Sequence, residues 1–231
     1  MSNEGNQHQT DRILNKATRT ITITAGILLA VAGFEHGLFE ALQGSTPTNG
    51  FFIQAIEKTM QRWAYGGEDA LTIIPNFLVT GIASISVSVF IILWLVLFVH
   101  RRLGPAVLLL LFVLLTLVGG GIGFIPFFIV TWAYATRINK PLIWWKRILL
   151  RMTFPSIRSI WPYTLGAAVA CWGIAIEIAI MGYFPGQSDA EILLAMVWAF
   201  LLAAMLFVNI SYVSGFAYDS ESFNAGHSLS K

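Results

Sequence analysis

The run Gly33-Phe34-Glu35-His36-Gly37-Leu38-Phe39-Glu40 places three ionisable groups inside an otherwise apolar stretch. On insertion scales each such group costs at least about 2.5 kcal/mol near the centre of a bilayer, so partners or water must compensate it. His36 and Glu40 stand four residues apart and share a helical face, whereas Glu35 points well away from Glu40. An intramembrane ion pair holding helices together and a relay for protons or ions are both open to His36 with Glu40. Metal ligation is the weaker third, because a single histidine without a second His-bearing motif is a poor start for a zinc site. Glu177, in Ile176-Glu177-Ile178, reads as a helix contact or a protonated acid rather than a catalyst. No nucleophile and base stand together, so an enzyme ranks behind the other readings and no cofactor is implied.

The chain that must position these groups has 231 residues, of which 56% are apolar and 11% charged, with a mean hydropathy of +0.72. That composition excludes a soluble globule, a disordered chain and a nucleic-acid binder. Cys171, the one cysteine, lies in an apolar run, so an intrachain disulfide and a cysteine metal cage are excluded as well.

The hydropathy pattern predicts an all-α polytopic helix bundle with about six crossings, at 21–42, 73–99, 103–118, 122–136, 161–183 and 192–216. Polar tails precede residue 19 and follow residue 216, and Asp219, Glu221 and His227 read as solvated. Met1 to Thr18 shows no cleavable signal. The third and fourth crossings come from one stretch, Leu103 to Thr136, which as a single helix would reach about 51 Å against a hydrocarbon core of about 30 Å. Gly119, Gly120, Gly121 and Gly123, followed by Pro126, resist a continuous helix, so the stretch is expected to break into two short spans or a re-entrant hairpin. Without a Lys-Ser/Thr pattern, the glycines form no phosphate loop. Two interfacial amphipathic helices are expected. One covers 51–63, where Phe52, Ile53, Ile56, Met60 and Trp63 recur at helical spacing; the other covers 141–152, beside Trp144 and Trp145. Lys146, Arg147 and Arg151 there suit anionic lipid headgroups.

Lysine and arginine placement then fixes an orientation. With six crossings and the N-terminus in the cytoplasm, one side holds Arg12, Lys16, Arg19, Arg101, Arg102, Arg137, Lys140, Lys146, Arg147, Arg151, Arg158 and Lys231, leaving Lys58 and Arg62 outside. Treating 103–136 as one crossing would spoil that bias. In this topology Glu35 lies about 21 Å, and Glu177 about 24 Å, from the inner ends of their spans, so the two could meet. Asn76 enters from the outer end, and the glycine turn also faces outward. The helix beginning near Phe124 would aim its N-terminal amides at the same region. Small residues at Gly26, Ala30, Gly33, Gly37, Ala41 and Gly44 form one stripe on the first span, which lets another helix approach closely.

Gly33-Phe-Glu-His-Gly37 with Glu40, the Gly119-Gly-Gly-Ile-Gly123 turn with Pro126, and Thr136-Arg-Ile-Asn139 leading to Pro141-Leu-Ile-Trp-Trp145 resemble a group of uncharacterised bacterial multi-spanning membrane proteins. The resemblance covers most of the chain from the first span onward. It implies a bacterial inner-membrane protein and brings no catalytic residue or substrate. Two functions follow from the residues. In one, Glu35, His36, Glu40 and Glu177, with Asn76, line an outward-facing polar cluster of a small-solute or ion transporter, a channel, or a membrane subunit of one. In the other, the buried ionisable groups only hold together a scaffold or accessory protein, whose partners are lipid, a second copy or another membrane subunit.

Overall fold

The computed structural model describes residues 14–149 and 155–228. Its element order is α1 (Lys16–Leu42), β1 (Phe52–Gln54), β2 (Asp69–Leu71), α2 (Phe77–Leu97), α3 (Gly104–Leu117), α4 (Ile125–Ala135), α5 (Ile143–Leu149), a 3-10 turn (Pro155–Ser159), α6 (Trp161–Met181) and α7 (Ala190–Ser228). Among the described residues α1, α2, α6 and α7 are long and apolar enough to cross a membrane, and α3 and α4 are shorter apolar helices. The fold is an all-α bundle with a small two-stranded cap.

The stretch from Leu103 to Thr136 folds back on itself. α3 rises, the glycines turn, and α4 returns so that Ile138 accepts a hydrogen bond from the Asn15 amide at 2.8 Å, beside the start of α1. The chain therefore passes between two ends of the bundle six times. One end gathers Asn15, the exit of α2, the 137–140 loop and the end of α7: Asn15 Nδ2 donates to the Arg137 and Lys140 carbonyls at 2.7 and 2.9 Å, and Asn139 Nδ2 to the His100 carbonyl at 2.6 Å. The other end carries residues 43–76, the glycine turn and the α6–α7 loop.

α1 is the most buried of the four long helices and packs against α2, α4, α6 and α7. Its stripe of small residues faces α2 and the adjoining α3. A Cβ on Gly37 would stand 2.7 Å from the Gly81 carbonyl oxygen, and one on Gly33 would meet Leu115 and Ser88. Ser84 Oγ donates to the Gly33 carbonyl at 2.9 Å. At this contact the two backbones approach as closely as glycine permits. Outward-facing Phe90, Leu110, Leu202 and Leu206 present an apolar exterior.

Two sequence expectations are corrected. Residues 51–63 form β1 and turns, with no amphipathic helix: Phe52, Ile53 and Gln54 pair antiparallel with Leu71, Ala70 and Asp69. This non-local pairing overrides the local helical period, burying Ile53, Ala55 and Ala70 together while Phe52 stays exposed. The second expected interfacial helix is present as α5 from Ile143 to Leu149, and residues 150–154, with Arg151, lie outside the described residues. α7 continues far beyond residue 216, and Asp219 is buried. Asp219 accepts from the Ala17 amide at 3.0 Å, the Thr18 amide at 2.9 Å and Thr18 Oγ at 2.7 Å. α1 has no local side-chain cap at Asn15, so a carboxyl from the last helix takes the free amides of the first. Replacing Asp219 by Ala should cost about 1–2 kcal/mol and lower the melting temperature in detergent. Glu221→Ala, on the exposed Arg158 pair, should change stability little; an unchanged Asp219→Ala melt would show that this cap is idle.

Candidate functional site

Three polar groups converge near the capped end. Glu35 and His36, from the last third of α1, and Glu68, from the residue before β2, line one cavity with Ala32, Phe39, Ala55, Ile56, Phe124, Ile176 and Ile180. Its empty volume is about 240 Å³ counted out to the mouth, yet it is tight enough inside to hold about one water. His36 is 5% exposed and pairs through Nε2 with Glu68. Its ring also meets Phe124 edge-on, centroids 5.5 Å apart, and Phe124 in turn packs against Trp172. His36 Nδ1 is buried without a hydrogen-bond partner among the described residues.

Glu68 is positioned by the sheet. The Ala55 amide donates to the Glu68 carbonyl at 2.7 Å, continuing the β1–β2 ladder and fixing which way the next side chain projects. Burial pushes the Glu68 carboxyl up, but the charge of His36 and its hydrogen bond outweigh that and hold it below the ordinary value of 4.5.

Glu40 does not pair with His36. It is fully buried, and both its carboxyl oxygens lack a hydrogen-bond partner among the described residues. The carboxyl lies against the backbone of Gly119, where a Cβ would collide with it. Gly119 has φ +104°, in the left-handed region that glycine alone enters freely, and Gly121 follows at φ +86°, where a Cβ would stand 2.9 Å from the His36 ring. A charged carboxylate left here without donors would be far costlier than an uncharged group, and an uncharged group too carries the cost of its unpaired polar atoms.

The other expected residues fall elsewhere. Glu177 is exposed on α6, and its neighbours Ile176 and Ile180 face the cavity instead, so Glu35 and Glu177 are not brought together there. Asn76 caps α2, accepting from the Val79 amide at 3.1 Å and donating to Ser45 Oγ at the same distance. Gly120 packs on Leu115, Gly123 has open space around it, and Pro126 stands in the first turn of α4. Among the described residues no group of three or more His, Cys, Asp or Glu could hold a metal ion. Comparison with protein-family models, with curated proteins and with solved structures returns no match.

Glu68 escaped sequence reading. Gly66-Gly67-Glu68-Asp69 offered an acid beside a flexible pair, but its reach toward His36 depends on strand register with residues 52–55, which hydropathy does not encode.

Two measurements bear on this geometry. Gly119→Ala should destabilise the fold by about 1–3 kcal/mol from backbone strain alone, and further through Glu40. Adding Glu40→Ala should recover the side-chain part, and a double variant no more stable than Gly119→Ala would remove the contact from the account. Because the folded Glu68 carboxyl titrates below its ordinary value, the stability it contributes is complete above about pH 4.5 and is lost as pH falls through the lowered value. A melting-temperature profile from pH 7 to 3 should show that loss, and Glu68→Gln should flatten it.

Proposed function

We propose that this membrane protein is a small ion or proton transporter, or the membrane subunit of one, with Glu35, His36 and Glu68 as its outward-facing polar site. The observation that carries the reading is the convergence of two acids and a histidine on one cavity near the end of a membrane-crossing helix. Buried ionisable groups in such helices are expensive and persist where they serve an ion path or a partner. A cavity with room for about one water suits a proton or a small ion stripped of its water better than an organic solute. Glu40, beyond the cavity and beneath the glycine turn, shares the helix face of His36.

The proposed setting is a bacterial inner membrane. The end bearing Lys16, Arg101, Arg102, Arg137, Lys140 and Arg147 carries most of the bases, and by the positive-inside bias it lies in the cytoplasm with both termini. The capped end, with Lys58 and Arg62, then faces outward.

One observation favours the scaffold reading instead: His36 Nε2 pairs with Glu68, clamping the cap to α1 as a purely structural pair would. Flux separates the two. In reconstituted vesicles carrying a pH-sensitive dye, Glu35→Gln should reduce proton or cation flux at least about tenfold while the melting temperature stays near that of the parent. Glu177→Leu, outside the cavity, should leave flux unchanged. Glu35→Gln vesicles that conduct like the parent would leave the cluster as helix glue.

A further inference from the structure

A second cavity lies at the opposite, basic end. It is lined by Tyr134, Arg137, Pro141, Leu142, Trp144 and Trp145, and its volume is about 230 Å³, a little below the about 300–1,000 Å³ usual for sites that enclose a whole small molecule and enough for one part of a larger ligand. Its aromatic walls are anchored on α7. Tyr134 stacks on Tyr212 at 4.0 Å between centroids and its hydroxyl donates to Asn209 Oδ1 at 3.0 Å. Trp145 packs on Phe216 at 4.9 Å, and Trp144 meets Trp145 edge-on at the same separation. The site is thus preformed by contacts that a ligand need not make.

Arg137 supplies the charge. It is exposed, and its backbone is pinned because its carbonyl accepts from Asn15 Nδ2. Among the described residues the ion pairs are His36 with Glu68 and Arg158 with Glu221, so no described carboxylate neutralises Arg137. Arg147, on α5, is exposed nearby in sequence.

We infer that this cavity binds one anionic glycerophospholipid from the adjoining leaflet, its phosphate at the Arg137 guanidinium and the upper part of its chains against Trp144, Trp145 and Leu142. A guanidinium matches phosphate with two parallel hydrogen bonds, and indoles favour the boundary between headgroup and hydrocarbon. The cavity stands at that boundary: Tyr134 lies in the last turn of an apolar helix, while Arg137 and Lys140 belong to the polar loop that follows. A soluble anion would use the guanidinium alone and leave the aromatic walls idle, so charge and walls together favour a lipid. This inference concerns a different end of the bundle and stands whether or not the protein moves ions.

The test uses the full chain in mild detergent with an equimolar mixture of phosphatidylglycerol and phosphatidylcholine, and reads retained lipid by native mass spectrometry. The parent should retain phosphatidylglycerol preferentially. Arg137→Gln should reduce that preference about fivefold, the worth of one basic residue facing an anionic headgroup, while Arg101→Gln, at the same end outside the cavity, should not. Trp144→Ala, which alters no charge on an exposed ring, should lower retention of both lipids and serves if Arg137→Gln fails to fold. Equal losses from Arg101→Gln and Arg137→Gln would reduce the effect to general surface charge and overturn the site. Displacement of the bound lipid by millimolar inorganic phosphate or glycerol phosphate would overturn it in favour of a free-anion site.

Discussion

The arrangement at the capped end rests on backbone hydrogen bonds between the cap and the glycine turn. Helices satisfy their own amides and carbonyls, but a turn at membrane depth exposes groups that lipid cannot satisfy. α3 is 14 residues long, about 21 Å, and so falls short of a hydrocarbon core of about 30 Å. The hairpin tip therefore needs protein cover, and β2 with its flanks supplies it: the Gly119 amide donates to Leu71, Ile73 donates to Leu117, Ile122 donates to Asp69, and Thr72 bridges to Val118. A hydroxyl chain seals the junction, with Thr72 Oγ and Thr80 Oγ 2.6 Å apart and Thr80 donating to the Val118 carbonyl at 2.8 Å. The cap is thus a consequence of the short hairpin, and the position of Glu68 is a consequence of the cap.

The opposite end solves the same problem with side chains. The first amides of α1 and the carbonyls of the 137–140 loop are free ends in an otherwise saturated bundle. Asp219 takes the amides and Asn15 takes the carbonyls, so each bond joins segments more than 100 residues apart. These links tie the first helix to the last and to the hairpin exit, where apolar packing alone would leave the helix ends free to slide. The two ends also differ in their cavities, lined by Glu35, His36 and Glu68 near the cap and by Arg137 with Tyr134, Trp144 and Trp145 at the base.

What the sequence revealed, and what it hid, divides along that line. Helix count, hairpin reversal, the small-residue face of α1 and the charge asymmetry follow from local composition and from the bilayer's length requirement, and all are properties of single segments. Residues 51–63 misled because their apolar spacing fits a helix of period 3.6, yet their partner lies at 69–71 and their pairing has period 2. The same non-local register hid Glu68, and with it the true partner of His36. Asp219 was hidden differently: a polar residue past the last span looks solvated unless the helix is known to continue and to meet the start of the first. Glu177 shows the converse limit: its neighbours Ile176 and Ile180 line the cavity, while the face of α6 that Glu177 itself occupies depends on how α6 packs beside α7.

The separation of Glu40 from His36 has a mechanical meaning. Both lie on one face of α1, but the turn stands between them in effect, with Gly119 against the Glu40 carboxyl and Gly121 against the His36 ring. A side chain at either glycine would have to push against α1, so the turn can approach only because those positions are bare. That closeness encloses Glu40, which does not line the cavity that His36 shares with Glu35 and Glu68. Two acids five residues apart on one helix thereby occupy different environments, Glu35 half-buried at an open cavity and Glu40 enclosed. A path for an ion past Glu40 would require the turn to withdraw from α1. Withdrawal would break the Gly119–Leu71 and Ile122–Asp69 hydrogen bonds that hold the cap, so opening at Glu40 and loosening at Glu68 are one event in this architecture.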